Sequence, residues 1–313
     1  MHDLPLITTI AVGFVAAWVL GLLTQRLGFS PIVGYLLAGV AVGPRTPGFI
    51  ADVHLAHQLA EVGVILLMFG VGLHFHVKDL LAVKSVAIPG AVGQSLVATV
   101  LGMAAFTAFG LSPTTSAVLG MAMAVASTVV LMRVLMDADK LESPEGHVAV
   151  GWLLVEDVFT VVVLVLIPVL NGGSGDESAS SAATGLWSAL GVALAKLAVL
   201  VAIVALVGAR VVPWVLVQVA RLRSRELFTL TVLVFSISMA AAAYAFFGAS
   251  MALGAFLAGM VVAQSPVSHQ AAADALPMRD AFSVIFFVSV GMLFDPAFVL
   301  REPLMFLAAL GII

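Results

Sequence analysis

The sequence predicts an all-α membrane protein that crosses the bilayer many times and contains an inverted repeat. Three observations support this fold class. Hydrophobic residues make up 62% of the chain and charged residues only 10%, with a mean hydropathy of +1.20. Apolar runs long enough to span a bilayer follow one another along the chain. Two segments far apart in the sequence also resemble each other. This composition excludes an ordinary soluble globular domain.

Apolar runs bounded by glycine, proline or charged residues predict about ten membrane-spanning helices and the start of an eleventh. The runs are residues 4–25, 28–43, 55–76, 85–109, 113–136, 146–170, 186–212, 226–247, 249–264 and 279–295, followed by 303–313. A stretch rich in glycine and serine at 171–185 predicts a solvated loop. Because the sequence stops inside the eleventh run, we expect it to be a truncated piece of a longer protein.

Basic residues are distributed unevenly between the two sides of these predicted helices. The side reached after odd-numbered helices carries ten of the thirteen, namely Arg26, Lys78, Lys84, Arg133, Lys140, Arg210, Arg221, Arg223, Arg225 and Arg279. The opposite side carries only Arg45 and Arg301. Because basic loops stay in the cytoplasm, this bias predicts an N-terminus outside the cell.

The repeat consists of two aligned pairs of helices. SPIVGYLLAGVAV from Ser30 aligns with SMALGAFLAGMVV from Ser250 at an offset of 254 − 34 = 220, and GVGLHF aligns with SVGMLF at 291 − 72 = 219. An odd number of crossings separates the copies, so they must be inverted, as in secondary transporters. We therefore predict a first repeat at 1–170, an outer loop, linker helix and basic cytosolic loop at 171–225, and an incomplete second repeat at 226–313.

Two adjacent acids interrupt the sixth run, GWLLVEDVFTVVVLVLIPVL. Glu156 and Asp157 lie ten and eleven residues after Gly146, about 15 Å into the membrane at 1.5 Å per residue. An ionised carboxylate at that depth costs ~2.5 to 3.5 kcal/mol and usually has a function. Adjacent helix residues point about 100° apart, so one acid can face a cavity while the other faces a neighbouring helix. The spacing does not decide which acid carries the ion.

Other polar residues inside the predicted helices are weaker candidates. Ser127 and Thr128 of the fifth run lie at a depth comparable to the acids, where a broken helix would offer carbonyls and hydroxyls to a cation. Glu61 and Lys196 are accessory candidates, each open to a structural or a functional interpretation. The chain has no cysteine, and nucleotide-binding and hydrolase motifs are absent, so we predict neither an enzyme nor a bound cofactor.

Six segments together are similar to a known family. They are SPIVGYLLAGVAVGP at 30–44, EVGVILLMFGVGL at 61–73, ASTVVLMRVL at 126–135, GWLLVEDV at 151–158, MALGAFLAGMVV at 251–262 and LPMRDAFSVIFFVSVGMLFD at 276–295. They resemble the Kef-type members of the cation:proton antiporter-2 family, and within it the YbaL-like branch. The segments span nearly the whole sequence, and the acidic pair with the last segment is fairly specific.

This resemblance implies a sodium/proton-antiporter-like fold and a homodimer of thirteen-helix protomers in the bacterial inner membrane. It assigns Asp157 to the aspartate that carries the proton or the cation. Glu156 occupies a position that is Gln in Kef proteins, Asp in electrogenic relatives and Asn in electroneutral ones. Ser127 and Thr128 fall in the first unwound crossover. The family continues with a helix bearing an intramembrane lysine, a second crossover and often a cytosolic nucleotide-binding regulatory domain, which this sequence does not include.

We therefore predict a secondary transporter that exchanges K⁺ or Na⁺ for protons across the bilayer, with no nucleic-acid partner. The cation would bind at Asp157, where a proton competes with it, and access to the site would alternate between the two sides. Two other functions remain open. One is a symporter of an organic solute, which would need a substrate-sized polar pocket. The other is a membrane pH or ion sensor that binds ions without transporting them.

Overall fold

The computed structural model describes residues 5–46, 52–170 and 179–312, and within these ranges all regular secondary structure is helical. A π-helical turn at Val204–Gly208 joins two α-helices, Ala179–Ile203 and Ala209–Arg221. The α-helices are α1 Pro5–Arg26, α2 Pro31–Val42, α3 Val53–Gly72, α4 Val77–Ala108, α5 Pro113–Ala124, α6 Thr128–Asp137, α7 Pro144–Leu170, α8 Ala179–Ile203, α9 Ala209–Arg221, α10 Arg225–Phe247, α11 Met251–Ala263, α12 Ser268–Leu293, α13 Pro296–Arg301 and α14 Pro303–Ile312.

The number of membrane segments agrees with the sequence prediction. Within the described residues, eight helical segments, with α5 and α6 counted together and α8 with α9, are long and apolar enough to cross a membrane. Three shorter apolar helices, α2, α11 and α14, bring the total to eleven. The protein is therefore an all-α, multi-pass membrane protein, as the composition predicted.

Two helices begin eight or more residues before their apolar runs. Helix α4 starts at Val77 rather than residue 85, and α12 starts at Ser268 rather than residue 279. Both added segments are mixed in polarity, so hydropathy misses them although the backbone stays helical. The predicted loop at 171–185 lies partly outside the described residues, and its remaining part, from Ala179, belongs to α8.

The helices form two bundles. Helices α1, α2, α3, α10, α11 and α12 pack on one another, and we call them the scaffold bundle. Helices α4, α5, α6 and α7 form a second group, which we call the site bundle. The two bundles meet mainly where α6 approaches α3, and Arg133 of α6 forms a 3.4 Å ion pair with Asp280 of α12 across this boundary. Helices α8 and α9 connect the bundles along α10 and α11.

Reciprocal glycine contacts hold the scaffold bundle together. A Cβ added to Gly39 of α2 would lie 2.7 Å from Cα of Gly291 in α12, and one added to Gly259 of α11 would lie 2.9 Å from Cα of Gly72 in α3. The four glycines are two aligned pairs, because 259 − 39 = 220 and 291 − 72 = 219. Each crossing joins one helix of the first repeat to one helix of the second, and the repeat relates the two crossings to each other.

The repeats are inverted, as predicted. We call the face where α1 begins the start face, and the face where α10 begins the basic face. Helix α3 begins at the start face, since the Asp52 amide donates to the Thr9 hydroxyl at 3.1 Å. One cavity is lined by the start of α3, the start of α11 and the end of α12, so α11 also begins there. Helix α2, its partner in the repeat, begins at the opposite face, directly after α1.

Gly259→Ala should destabilise the scaffold bundle. The added methyl group meets backbone atoms of α3 that cannot turn away, and overpacking of this kind costs ~1 to 3 kcal/mol. The unfolding midpoint of the purified protein in detergent is expected to fall. Gly93→Ala is the matched control, because nothing lies within 4 Å of its added Cβ. Equal midpoints for the two variants would contradict this account of the crossing.

Candidate ion-binding site

The predicted fifth span is broken in its middle. Helix α5 ends at Ala124 and α6 begins at Thr128, with Val125 and Ser127 in extended conformation. The Ser127 hydroxyl accepts a 3.4 Å hydrogen bond from the Val130 amide and caps α6. A break of this kind leaves carbonyls at the end of α5 and amides at the start of α6 without helical partners. In a membrane, such groups persist only where protein or a water-filled cavity surrounds them.

Glu156 of α7 holds this break. Its side chain is almost completely buried, with 2% of the residue exposed. Oε2 accepts a 3.0 Å hydrogen bond from the Ala126 amide, inside the break, and Oε1 accepts one of 3.0 Å from the indole N–H of Trp152. Both carboxylate oxygens are therefore engaged by protein donors. This arrangement gives Glu156 a structural partner for each oxygen.

Helix α4 holds the same segment from another side. The Gln94 side-chain amide donates a 3.2 Å hydrogen bond to the Ala124 carbonyl, the last in α5. Gly90, one turn earlier on α4, leaves a notch for the Trp152 ring, since an added Cβ there would lie 2.7 Å from Cη2 of Trp152. The Trp152 indole, which donates to Glu156, therefore packs against α4.

Asp157 has different surroundings. No described residue forms a hydrogen bond or an ion pair with its side chain. It lines a void of about 10 Å³ between the two bundles, together with Thr128 and Met132 of α6 and residues of α3, α7 and α11. That volume suffices for about one water-sized particle. The two adjacent acids therefore face different surroundings, as their 100° separation predicted.

The other predicted residues lie apart from this void. Ser127 caps α6 and is exposed, so the structure brings Thr128 but not Ser127 to Asp157. Glu61 lines a cavity of about 400 Å³ at the start face, with one oxygen 3.7 Å from Nε2 of His57. Lys196 lines a separate cavity of about 480 Å³ beside Val161 and Phe247.

Sequence reasoning missed Gln94 and Trp152. Each carried a signal that could have been used. Gln94 is the one amide side chain in the otherwise apolar and small run AVGQSLVATV, and Trp152 stands one helical turn before Glu156. Both contacts depend on helix packing, which the linear spacing does not show. Across the described ranges, no group of three or more His, Asp or Glu side chains is arranged to hold a metal ion.

The fold is that of a multi-pass membrane protein with inverted repeats and a helix broken beside an intramembrane acid. Residues 12–313 match the family described as "Sodium/hydrogen exchanger, transmembrane". The chain therefore belongs to this family of transmembrane exchangers, and the resemblance predicted from the sequence is confirmed.

Individual relatives agree with this assignment. The chain is 52% identical over 314 residues to a protein of Escherichia coli (strain K12) named "Putative cation/proton antiporter YbaL", covering 100% of this chain and 56% of the relative. It is 51% identical over 274 residues to an "Uncharacterized protein in phaC 3'region" of Methylorubrum extorquens, covering 86% of this chain and 99% of the relative. It is 34% identical over 290 residues to the chloroplastic K(+) efflux antiporter 1 of Arabidopsis thaliana, covering 91% of this chain and 24% of the relative. The chain thus spans about half the length of the Escherichia coli relative.

Trp152→Phe should lower stability by removing one hydrogen bond. The phenyl ring keeps an aromatic side chain at this position, but Oε1 of Glu156 loses its donor while buried, which costs ~1 to 3 kcal/mol. The unfolding midpoint in detergent measures this loss. Trp18→Phe is the matched control, because Trp18 is 66% exposed. If the two variants unfold at the same midpoint, the indole N–H does not stabilise the break.

Proposed function

We propose that the protein exchanges a monovalent cation, K⁺ or Na⁺, for protons by letting the two compete for Asp157. One observation carries this proposal. Of the two adjacent intramembrane acids, Glu156 is fully hydrogen-bonded, whereas Asp157 has no such partner among the described residues and faces a void. An unpaired carboxylate in the membrane needs a counterion, and either a proton or a metal cation can supply it.

Oxygen atoms around the void suit an alkali cation. The Asp157 carboxylate supplies charge, Thr128 supplies a hydroxyl at the void, and the broken helix supplies carbonyls that lack helical partners. The negative end of the α5 dipole points into the break and favours a cation there. When a proton occupies Asp157 instead, the cation loses the only charged ligand of this set.

A route from the start face leads toward Asp157. The cavity that contains Glu61 also includes Val64 of α3 and Ala252 of α11. Ala252 and Met68, one turn beyond Val64, line the Asp157 void as well. The open cavity and the void therefore lie in series along α3 and α11. We propose that this cavity is the outer vestibule and that Glu61 attracts cations into it.

The two-bundle architecture suits alternating access. The site bundle carries Asp157 and the broken helix, and it meets the scaffold bundle along a limited boundary. We propose that the site bundle moves relative to the scaffold bundle and exposes Asp157 to each side in turn. The Arg133–Asp280 ion pair spans this boundary at the basic face and would separate when access opens there.

Further features follow from the family and the charge distribution. We propose that the start face is extracellular, that the protein lies in the bacterial inner membrane, and that residues 1–170, 171–225 and 226–313 are the first repeat, the linker region and part of the second repeat. We also propose a homodimer and a C-terminal nucleotide-binding regulatory domain in the full-length protein. The relative named K(+) efflux antiporter 1 favours K⁺ as the transported ion.

Asp157→Asn should abolish exchange, because the amide keeps the shape of the side chain but cannot take up a proton or neutralise a cation. The assay uses full-length protein in proteoliposomes with an imposed pH gradient, and the lumenal pH is followed after K⁺ or Na⁺ is added. Wild type should collapse the gradient, and the variant should match protein-free vesicles. Glu156→Gln is the comparison variant, expected to retain exchange with reduced stability. Full activity of Asp157→Asn would contradict the proposal.

Glu61→Gln should weaken the capture of cations from the start face without stopping exchange. The Glu61 side chain is 43% exposed, so its charge acts through solvent, and a rise of about two- to fivefold in the apparent KM is expected. The effect should shrink at high ionic strength, since exposed charges are screened. Glu142→Gln, at an exposed position outside the vestibule, is the control. An unchanged KM for Glu61→Gln would show that the Glu61 charge does not help to capture cations.

A further inference from the structure

Gln94 is a polar side chain in the middle of a membrane-spanning helix. It lies seventeen residues after Val77 and fourteen before Ala108, within α4. Its amide N–H donates to the Ala124 carbonyl at 3.2 Å, and its oxygen accepts a 3.4 Å hydrogen bond from the buried Ser95 hydroxyl. Both polar atoms of the amide are thus engaged by protein partners, so its contact with the break is the feature to explain.

The Ala124 carbonyl lies at the C-terminal end of α5, where helical hydrogen bonding stops. It is one of the last four carbonyls of α5, which lack helical amide partners. Ala124 is completely buried, so water reaches this carbonyl poorly. A buried carbonyl at a broken helix either binds a donor or turns toward a cation. Gln94 supplies the donor and so fixes the direction in which this carbonyl points.

Gln94 and Glu156 act on the same short segment from two helices. Gln94 of α4 binds the carbonyl of Ala124, and Glu156 of α7 binds the amide of Ala126. Thr128, which lines the Asp157 void, follows only two residues later. The path of residues 124–126 therefore sets where Thr128 and the free carbonyls of α5 lie relative to Asp157.

We propose that Gln94 is a positioning residue that sets the affinity of the site for its cation by fixing the carboxyl end of α5. This inference rests on the proposed exchange at Asp157. Gln94 touches neither the cation nor the proton, so its loss should change how well the cation is bound and not whether Asp157 can exchange. Discrimination between K⁺ and Na⁺ should change as well, because the spacing of the carbonyls depends on the same contact.

The test replaces Gln94 with methionine, which has a similar length and no donor. In proteoliposomes containing full-length protein, Gln94→Met should raise the apparent KM for the cation about five- to tenfold. The maximal rate should change much less, and the ratio of the KM values for K⁺ and Na⁺ should shift. Gln94→Asn keeps an amide on a shorter stem and should give an intermediate KM.

Thr99→Val is the matched control. Thr99 lies on the same helix, and its buried hydroxyl has no hydrogen-bond partner in the described part of the chain, so its loss should leave the KM unchanged. Binding is also measured in detergent, as the rise in unfolding midpoint with cation concentration. This readout remains available if a variant transports poorly.

The outcomes separate this inference from the exchange function itself. A wild-type protein without cation-dependent exchange would remove the function on which the inference rests. An active wild type with a Gln94→Met variant of unchanged KM and selectivity would overturn the role of Gln94 alone. A variant that loses only maximal rate or stability, with wild-type cation affinity, would also overturn it and make Gln94 merely structural.

Discussion

The structure depends on a broken helix kept open inside the membrane. Separating α5 from α6 leaves polar backbone groups in a region where water cannot satisfy them. Gln94 donates to the Ala124 carbonyl at the end of α5, and Glu156, itself held by Trp152, accepts from the Ala126 amide inside the break. Because these contacts satisfy and fix the backbone, the adjacent Asp157 remains free to face the void. In the proposed function, Glu156 therefore has the structural role and Asp157 binds the ion.

In the proposed function, the site bundle moves relative to the scaffold bundle, and the packing of the two bundles suits this movement. Glycine crossings between α2 and α12, and between α3 and α11, bring the scaffold helices into backbone contact, which resists deformation because no side chain separates them. The site bundle lacks such a tight connection to the scaffold. Its boundary with the scaffold carries Asp157, Thr128 and the Arg133–Asp280 ion pair. The proposed ion site therefore lies at the boundary between the two bundles.

Much of this could be predicted from the sequence, for identifiable reasons. Apolar run length revealed the spans, and a nearly constant offset revealed the inverted repeat, because both are one-dimensional patterns. The acidic pair was evident because charge is rare inside a membrane. Which acid faces the void was not evident, since that depends on how α7 is rotated against the break. The starts of α4 and α12 and the contact of Gln94 were missed for a related reason: helix continuity and packing leave no hydropathy signal.

The central claim is that one carboxylate holds either a proton or a cation, and proton release on cation binding tests it most directly. Purified full-length protein in weakly buffered detergent solution is mixed with K⁺ or Na⁺ while a pH indicator is followed. The account predicts release of up to about one proton per chain at a pH where Asp157 is protonated, declining as the pH rises. Cation binding without any proton release across that pH range would contradict it.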